Sequence, residues 1–305
     1  MRRDIMFVMA IFTESPFWSL LIWALCLAVV GLMVGTLMSR VVYHLPRAIE
    51  AAWQAHARET VGADASGVVA PDARAPDPDP SYTTADSWRS PAACLHCGAP
   101  GPSGWRQWLG VTAFALPGRC ASCEHPVGYA SRLLHWLTAA VFALCAWRYG
   151  TSAHLFWALL LCAALITLAF IDAQTSLLPD VITLPLLWIG LLVNSGGTGW
   201  TPLAHAVWGA VAGYACLWMV FHAFRLATGR EGMGYGDFKL LAALGAWLGL
   251  STLPWLLLAA SLSGVIVGLG LRFVGRAAPG QPLPFGPYLS AAGIIAILWP
   301  ISFPG

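Results

Sequence analysis

Eight apolar runs separated by short polar breaks constrain the fold of this sequence more than any other feature. Only 10% of its 305 residues are charged and 58% are hydrophobic, a balance that excludes an ordinary soluble domain. Inside a bilayer every backbone polar group needs an internal partner, so apolar runs of this kind form helices. The sequence therefore predicts an all-α polytopic membrane protein with about eight transmembrane helices. The runs cover residues 17–38, 133–147, 154–171, 181–193, 203–224, 238–250, 253–273 and 288–301.

Two of the runs are short and begin beside an aspartate. Residues 181–193 follow Asp180, and residues 238–250 follow Asp237. A membrane-spanning helix needs about 20 residues, so these two leave room for a wet cavity that tolerates charge. Asp172 closes the run that precedes Asp180. Ionisable side chains at membrane depth usually mark function; the structural alternative, which we prefer for Asp180, is a helix N-cap.

Asp237 lies in the segment Gly232-Met233-Gly234-Tyr235-Gly236-Asp237-Phe238-Lys239. Its glycines permit unusual backbone dihedrals and the close approach of another part of the chain. Asp237 stands where the N-cap of the sixth helix is expected, so helix capping is again the structural alternative. Lys239 either stabilises this carboxylate or extends to the membrane interface.

Two carboxylates held together at a membrane edge favour aspartyl chemistry. Both cannot ionise without a large cost, so one keeps a proton and the pair titrates as a unit. The ionised member activates water while the protonated member polarises a carbonyl. One alternative is a secondary transporter with a proton or cation relay, although we find no repeated halves and both aspartates lie toward one face. A membrane scaffold without catalysis is another alternative.

The distribution of Lys and Arg predicts the orientation of the chain. Thirteen of the 16 lie in loops opposite the termini, and the remaining three lie on the side of the termini. Positive loops stay in the cytoplasm, so we expect cytoplasmic aspartate loops and periplasmic termini in a multi-pass inner membrane protein. No small-residue cleavage site precedes the first apolar run, so we expect this segment to be retained.

Residues 40–132 form the one sizeable polar region and divide the chain into three parts. Residues 1–39 contain the first membrane helix, and residues 133–305 form the membrane domain. In between, residues 41–53 continue the first helix as an amphipathic stretch. Residues 60–90 are rich in Pro, Ala and Asp and predict an extended linker. Residues 91–128 form a cysteine module.

Two C-x-x-C pairs define the cysteine module. Cys94 and Cys97 form the first, Cys120 and Cys123 form the second, and 22 residues separate them. Four thiolates in two such pairs are typical of a tetrahedral structural zinc site. Two disulfides or free thiols are the alternatives, and the predicted cytoplasmic location argues against disulfides.

These motifs together resemble the bacterial type IV prepilin leader peptidases, which are aspartyl intramembrane peptidases of the Gly-x-Gly-Asp class. The matching residues are Ile171-Asp172, Leu178-Pro179-Asp180 and 231–239, within a resemblance that covers about residues 17–48 and 90–303. The resemblance implies that Asp172 and Asp237 are catalytic. It also implies an enzyme that removes the leader of prepilins or pseudopilins, after a Gly, on the cytoplasmic side of the bilayer. The substrates would serve pilus assembly or type II secretion; no nucleic acid is expected as a partner.

Family members are commonly bifunctional and also methylate the new N-terminus with S-adenosylmethionine, and they often carry the same four cysteines. This chain departs from the family in the parts associated with methyl transfer. Ser39 replaces a usual Asn, and residues 129–135 replace an Arg-Tyr-Pro stretch with a following Glu. Glu124 is the one acidic residue between Cys97 and Asp172. The peptidase resemblance is therefore strong, while methyl transfer stays open. Residues 284–288, Pro-Phe-Gly-Pro-Tyr, resemble a family motif that either starts the last helix or lines the active cavity.

Overall fold

The computed structural model describes residues 16–64, 129–229, 233–275 and 284–299. Within these ranges the chain forms eight α-helices and one short 3₁₀ helix, Leu250–Thr252, and no strand. The predicted all-α architecture is confirmed for these ranges. The helices are α1 (Pro16–Asp64), α2 (Tyr129–Tyr149), α3 (Ala153–Thr175), α4 (Asp180–Ser195), α5 (Leu203–Thr228), α6 (Tyr235–Leu248), α7 (Leu253–Phe273) and α8 (Gly286–Leu298).

Five of the described helices are long and apolar enough to cross a membrane. These five contain the greater part of α1, α2, α3, α5 and α7. The other three are shorter, with 16 residues in α4, 14 in α6 and 13 in α8. At 1.5 Å per residue they measure about 20–24 Å, less than the roughly 30 Å of a hydrocarbon core. The prediction of short fourth and sixth helices is therefore confirmed, and α8 joins them.

Helix α1 extends well beyond its apolar run. It has 49 residues and includes the predicted amphipathic continuation, residues 41–53. The boundary predicted for the linker is wrong at its start, because residues 60–64 are still helical. The rest of the linker and the whole cysteine module, residues 91–128, lie outside the described residues.

Helix α6 lies at the centre of the membrane domain. Eleven of its 14 residues are buried, from Asp237 and Phe238 to Leu248. Helix α5 packs against it through glycines: a Cβ on Gly213 would lie 2.8 Å from the carbonyl oxygen of Leu241, and Gly209 directly contacts the backbone of Gly245. These glycines allow the two helices to approach closely, which explains how so short a helix is largely enclosed.

Side chains tie the C-terminal ends of α6 and α8 to their neighbours. Asn194 on α4 donates from Nδ2 to the carbonyl oxygen of Ala246 at 2.7 Å. Tyr149 at the end of α2 donates its hydroxyl to the carbonyl oxygen of Ile297 at 2.6 Å. These bonds satisfy carbonyls that a helix end leaves without intrahelical partners. The two helices are thus anchored at one end of the bundle, which fixes where their N-termini lie at the other end.

Candidate active site

Three helix ends converge at one end of the bundle and carry the polar residues of the candidate site. Asp172 lies in the last turn of α3, Asp237 is the third residue of α6, and Gly286 is the first residue of α8. All three residues are buried, and the two aspartates are only 5% and 6% exposed. Because α6 and α8 begin here, their N-termini direct partial positive charge toward the carboxylates.

Asp172 has a backbone hydrogen-bond donor from a distant part of the sequence. The amide nitrogen of Gly286 donates to Asp172 Oδ2 at 2.9 Å. Residues 284–288 were predicted either to start the last helix or to line the cavity, and Gly286 does start α8. The contact itself was missed by the sequence analysis. The family-like motif around Gly286 indicated that this segment could be functional, but it did not indicate which side chain the amide of Gly286 contacts.

Asp237 has a different environment, although it lies close enough for its charge to interact with that of Asp172. Its Oδ1 atom is buried and has no hydrogen-bond partner within the described residues. The structural alternative, an N-cap at Asp237, is wrong, because Gly234 is the N-cap and Asp237 lies inside the first turn of α6. A buried carboxyl oxygen without a partner is costly. A role in a reaction therefore explains this oxygen better than a role in stabilising the helix.

The two described glycines before Asp237 have separate roles. A Cβ on Gly236 would lie 2.5 Å from Leu178 Cβ, so the absence of a side chain lets the α3–α4 connection approach α6. Gly234 has extended backbone dihedrals, and a Cβ there would meet no atom of the described residues within 4 Å. Of the two reasons predicted for these glycines, unusual dihedrals and the close approach of another part of the chain, the second therefore explains Gly236.

Asp180 and Lys239 form an ion pair beside the site. Lys239 Nζ lies 2.6 Å from Asp180 Oδ1 and 2.7 Å from Oδ2, and the pair joins the N-terminal ends of α4 and α6. The N-cap predicted at Asp180 is wrong, because Pro179 is the N-cap of α4 and no side chain caps it. The ammonium group of Lys239 pairs with Asp180, an arrangement that neither alternative for Lys239 had included.

We expect Asp180→Asn to retain most of the peptidase activity that the family resemblance implies. The side chains of the ion pair are 30% and 53% exposed, so solvent weakens their attraction. Such pairs contribute about 0.2–1 kcal/mol. A thermal unfolding cycle with Asp180→Asn, Lys239→Gln and the double variant should give a coupling of this size, alongside near-normal cleavage. A loss of cleavage comparable to that of an active-site variant would instead place Asp180 in the chemistry.

No group of three or more His, Cys, Asp or Glu side chains able to hold a metal occurs among the described residues. The four cysteines predicted to bind zinc, Cys94, Cys97, Cys120 and Cys123, lie outside those residues. The zinc site therefore stays a prediction. Four other cysteines are described, namely Cys26, Cys145, Cys162 and Cys216, and they are free thiols.

The fold and the candidate site define a polytopic membrane protein with two interacting, buried aspartates at converging helix ends. Two family models match it. The type IV leader peptidase family matches residues 159–269, which contain both aspartates, and the bacterial peptidase A24 N-terminal domain matches residues 29–149, which contain the cysteine pairs. The chain belongs to the type IV leader peptidase family.

Curated relatives match nearly the whole chain. The prepilin leader peptidase/N-methyltransferase of Pseudomonas aeruginosa is 42% identical over 279 residues, which are 92% of this chain and 91% of the relative. The protein of the same name from Neisseria gonorrhoeae is 41% identical over 88% of this chain and 87% of its own. The one from Aeromonas hydrophila is 43% identical over 88% of each. No solved structure matches the chain significantly.

Proposed function

We propose that this protein is a bifunctional prepilin leader peptidase and N-methyltransferase that cleaves its substrate with Asp172 and Asp237. The observation that carries the proposal is the pairing of these two buried carboxylates at the converging ends of α3 and α6. The names of relatives about 40% identical over nine-tenths of the chain give the substrate class and the two activities. The transporter alternative is not favoured by these relatives, and both aspartates lie at one end of the bundle.

The proposed cleavage uses the two carboxyl groups with one proton shared between them. The ionised carboxylate takes a proton from water, and the water oxygen bonds to the scissile carbonyl carbon while the protonated carboxyl gives its proton to the carbonyl oxygen. In the second step the first carboxyl returns its proton to the leaving nitrogen and the C–N bond breaks. As that bond breaks, the other carboxylate takes the proton of one hydroxyl on the same carbon, and the carbonyl double bond forms. The products are a leader with a new carboxyl terminus and a pilin with a free amine.

The environment of each carboxyl group favours one division of these roles. Asp172 accepts the amide N–H of Gly286, and a donor of this kind stabilises an anion. Asp237 Oδ1 has no such donor within the described residues, which suits the member that holds the proton. We therefore assign Asp172 as the base and Asp237 as the acid. The substrate would approach beside Gly234, where a Cβ would meet no atom of the described residues within 4 Å.

We place the enzyme in the bacterial inner membrane with both aspartates toward the cytoplasm. This orientation rests on the Lys and Arg distribution, which puts thirteen of 16 on that side. The substrate is a prepilin or pseudopilin whose basic leader stays in the cytoplasm while its apolar helix lies in the bilayer. Cys94, Cys97, Cys120 and Cys123 would hold a structural zinc in the same compartment, since two C-x-x-C pairs provide the donor set that tetrahedral Zn²⁺ prefers.

Methylation of the new N-terminus needs the methyl donor and the free amine in aligned geometry. S-adenosylmethionine supplies the methyl group when it is bound. The departures at Ser39 and residues 129–135 affect the part of the chain linked to this activity. The N-terminal domain model nevertheless matches residues 29–149, and the relatives share the name N-methyltransferase. These matches support retained methyl transfer.

We expect purified enzyme to cleave a full-length prepilin and, with S-adenosylmethionine, to yield a mature N-terminus heavier by one methyl group. Mass spectrometry of the processed pilin measures both steps in one sample. A reaction without S-adenosylmethionine is the control and should give the cleaved, unmodified N-terminus. Cleavage without methylation in both samples would limit the activity to the peptidase, and no cleavage in either would contradict the proposed function.

A further inference from the structure

The first turn of α8 leaves a single backbone N–H for use outside the helix. The amides of Tyr288 and Leu289 both donate to the carbonyl oxygen of Phe285, at 3.1 and 3.2 Å, and Pro287 has no N–H. The amide of Gly286 is the remaining one among the first four residues of α8. It donates to Asp172 Oδ2, 114 residues away in sequence. Every backbone N–H of this turn therefore has an acceptor, and the one without an acceptor inside the helix donates to the Asp172 carboxylate.

Gly286 also fits this place because it has no side chain. A Cβ at position 286 would lie 2.6 Å from Asp172 Oδ2 and 3.0 Å from Asp172 Cγ. The carboxylate would have to move to accept even a methyl group. Gly286 has no positive φ that would require glycine on conformational grounds. The close approach of the carboxylate is thus the constraint on this residue.

The face of α8 that carries Gly286 is in close contact with α3 and α6. One turn deeper Ser290 is completely buried, and at Gly293 a Cβ would lie 2.6 Å from Leu244 Cδ2 on α6 and 3.1 Å from Leu165 Cδ1 on α3. Helix α8 therefore packs between α3 and α6, the two helices that carry the aspartates. Its start cannot shift without moving Asp172, because packed interiors have few alternative arrangements.

We infer that Gly286 is a positioning residue for prepilin cleavage: its amide holds the Asp172 carboxylate in the reactive orientation, and the missing side chain lets the carboxylate reach that amide. The inference rests on the proposed role of Asp172 as a catalytic base. It concerns the chemical step, so it predicts an effect on kcat and little effect on the binding of the substrate helix.

The test compares Gly286→Ala with Gly293→Ala in cleavage of a full-length prepilin with a basic leader. Both variants add one methyl group to a crowded face of α8, but Gly293 meets leucine methyl groups instead of a carboxylate. Gly286→Ala should lower kcat at least about tenfold with KM within about twofold, since misplacing a reactive group by 1 Å costs about 10²-fold. Gly293→Ala should keep kcat per folded molecule, whatever its effect on thermal stability. Unchanged kcat in Gly286→Ala, or a change confined to KM, would overturn the inference.

A second measurement separates positioning from a general effect on folding. Asp172→Ala removes the oxygens that a Cβ at position 286 would meet, so it should relieve the loss in Tm caused by Gly286→Ala. The loss caused by Gly293→Ala should persist in the same background. If Gly286→Ala does not fold, the double variant with Asp172→Ala should fold, and its failure to do so would overturn the inference. Cleavage retained by Asp172→Asn would contradict the proposed function itself, whereas cleavage lost in Asp172→Asn and normal in Gly286→Ala would contradict only the positioning role.

Discussion

Asp172→Asn and Asp237→Asn are each expected to lower prepilin cleavage by about 10³-fold or more, because one carboxyl group cannot act as both acid and base. Asparagine preserves the shape of the side chain but neither takes nor gives the proton. Neither variant should lose thermal stability. Both carboxyl groups are buried, Asp237 Oδ1 lacks a partner within the described residues, and an uncharged amide is cheaper to bury than a carboxylate.

The measurement pairs prepilin cleavage by purified variants with their unfolding temperatures. A fall in activity with an unchanged or higher Tm would identify an arrangement that favours function over stability. Asp180→Asn is the matched control, since Asp180 is also an aspartate in a first helical turn beside the site but pairs with Lys239. Activity lost in Asp180→Asn and retained in Asp172→Asn would reverse the assignment of the catalytic pair.

The helices could be located from the sequence because hydrophobic runs report membrane helices directly. The eight predicted runs overlap the eight described helices, and the amphipathic continuation of α1 was also recognised. Helix starts were less accurate. Asp180 is the first residue of α4 and Asp237 is the third residue of α6, and in the sequence both resemble N-caps. The N-cap positions are instead held by Pro179 and Gly234. Extended backbone at the N-cap does not require a capping side chain, so the residue type alone was misleading.

The aspartates of the candidate site could be named from the sequence, but their partners could not. Lys239 and Asp180 are 59 residues apart, and Gly286 and Asp172 are 114 apart. Such contacts follow from how helices pack, which a single sequence records only indirectly. Gly236 is an example. The motif indicates that a small residue is needed there, but only the fold shows that the neighbour in close contact is Leu178.

The second large effect is expected in the cysteine module. Purified protein should contain about one zinc per chain, and the double variant Cys94→Ser/Cys97→Ser should contain none, because two thiolates cannot complete a tetrahedral site. Binding of structural zinc contributes on the order of 10 kcal/mol to the folding of a small module. A module as small as residues 91–128 rarely folds stably without a metal or disulfides, so loss of the metal should expose it to protease. Methyl transfer should fall before peptidase activity, because the aspartates lie on helices α3 and α6, outside the cysteine module in sequence.

Two sets of control variants make the zinc prediction specific. Cys26→Ser and Cys216→Ser change cysteines that lie on α1 and α5, and both should keep the metal. His96→Ala and His125→Ala should keep it as well, since four thiolates already complete the coordination shell. Metal analysis by mass spectrometry gives the zinc content, and peptide mapping without reduction detects the alternative of two disulfides. Well-folded protein without zinc, or with the four cysteines of the module joined as two disulfides, would contradict the metal site. The membrane peptidase assignment would stay intact, because it rests on Asp172, Asp237 and the relatives and not on zinc.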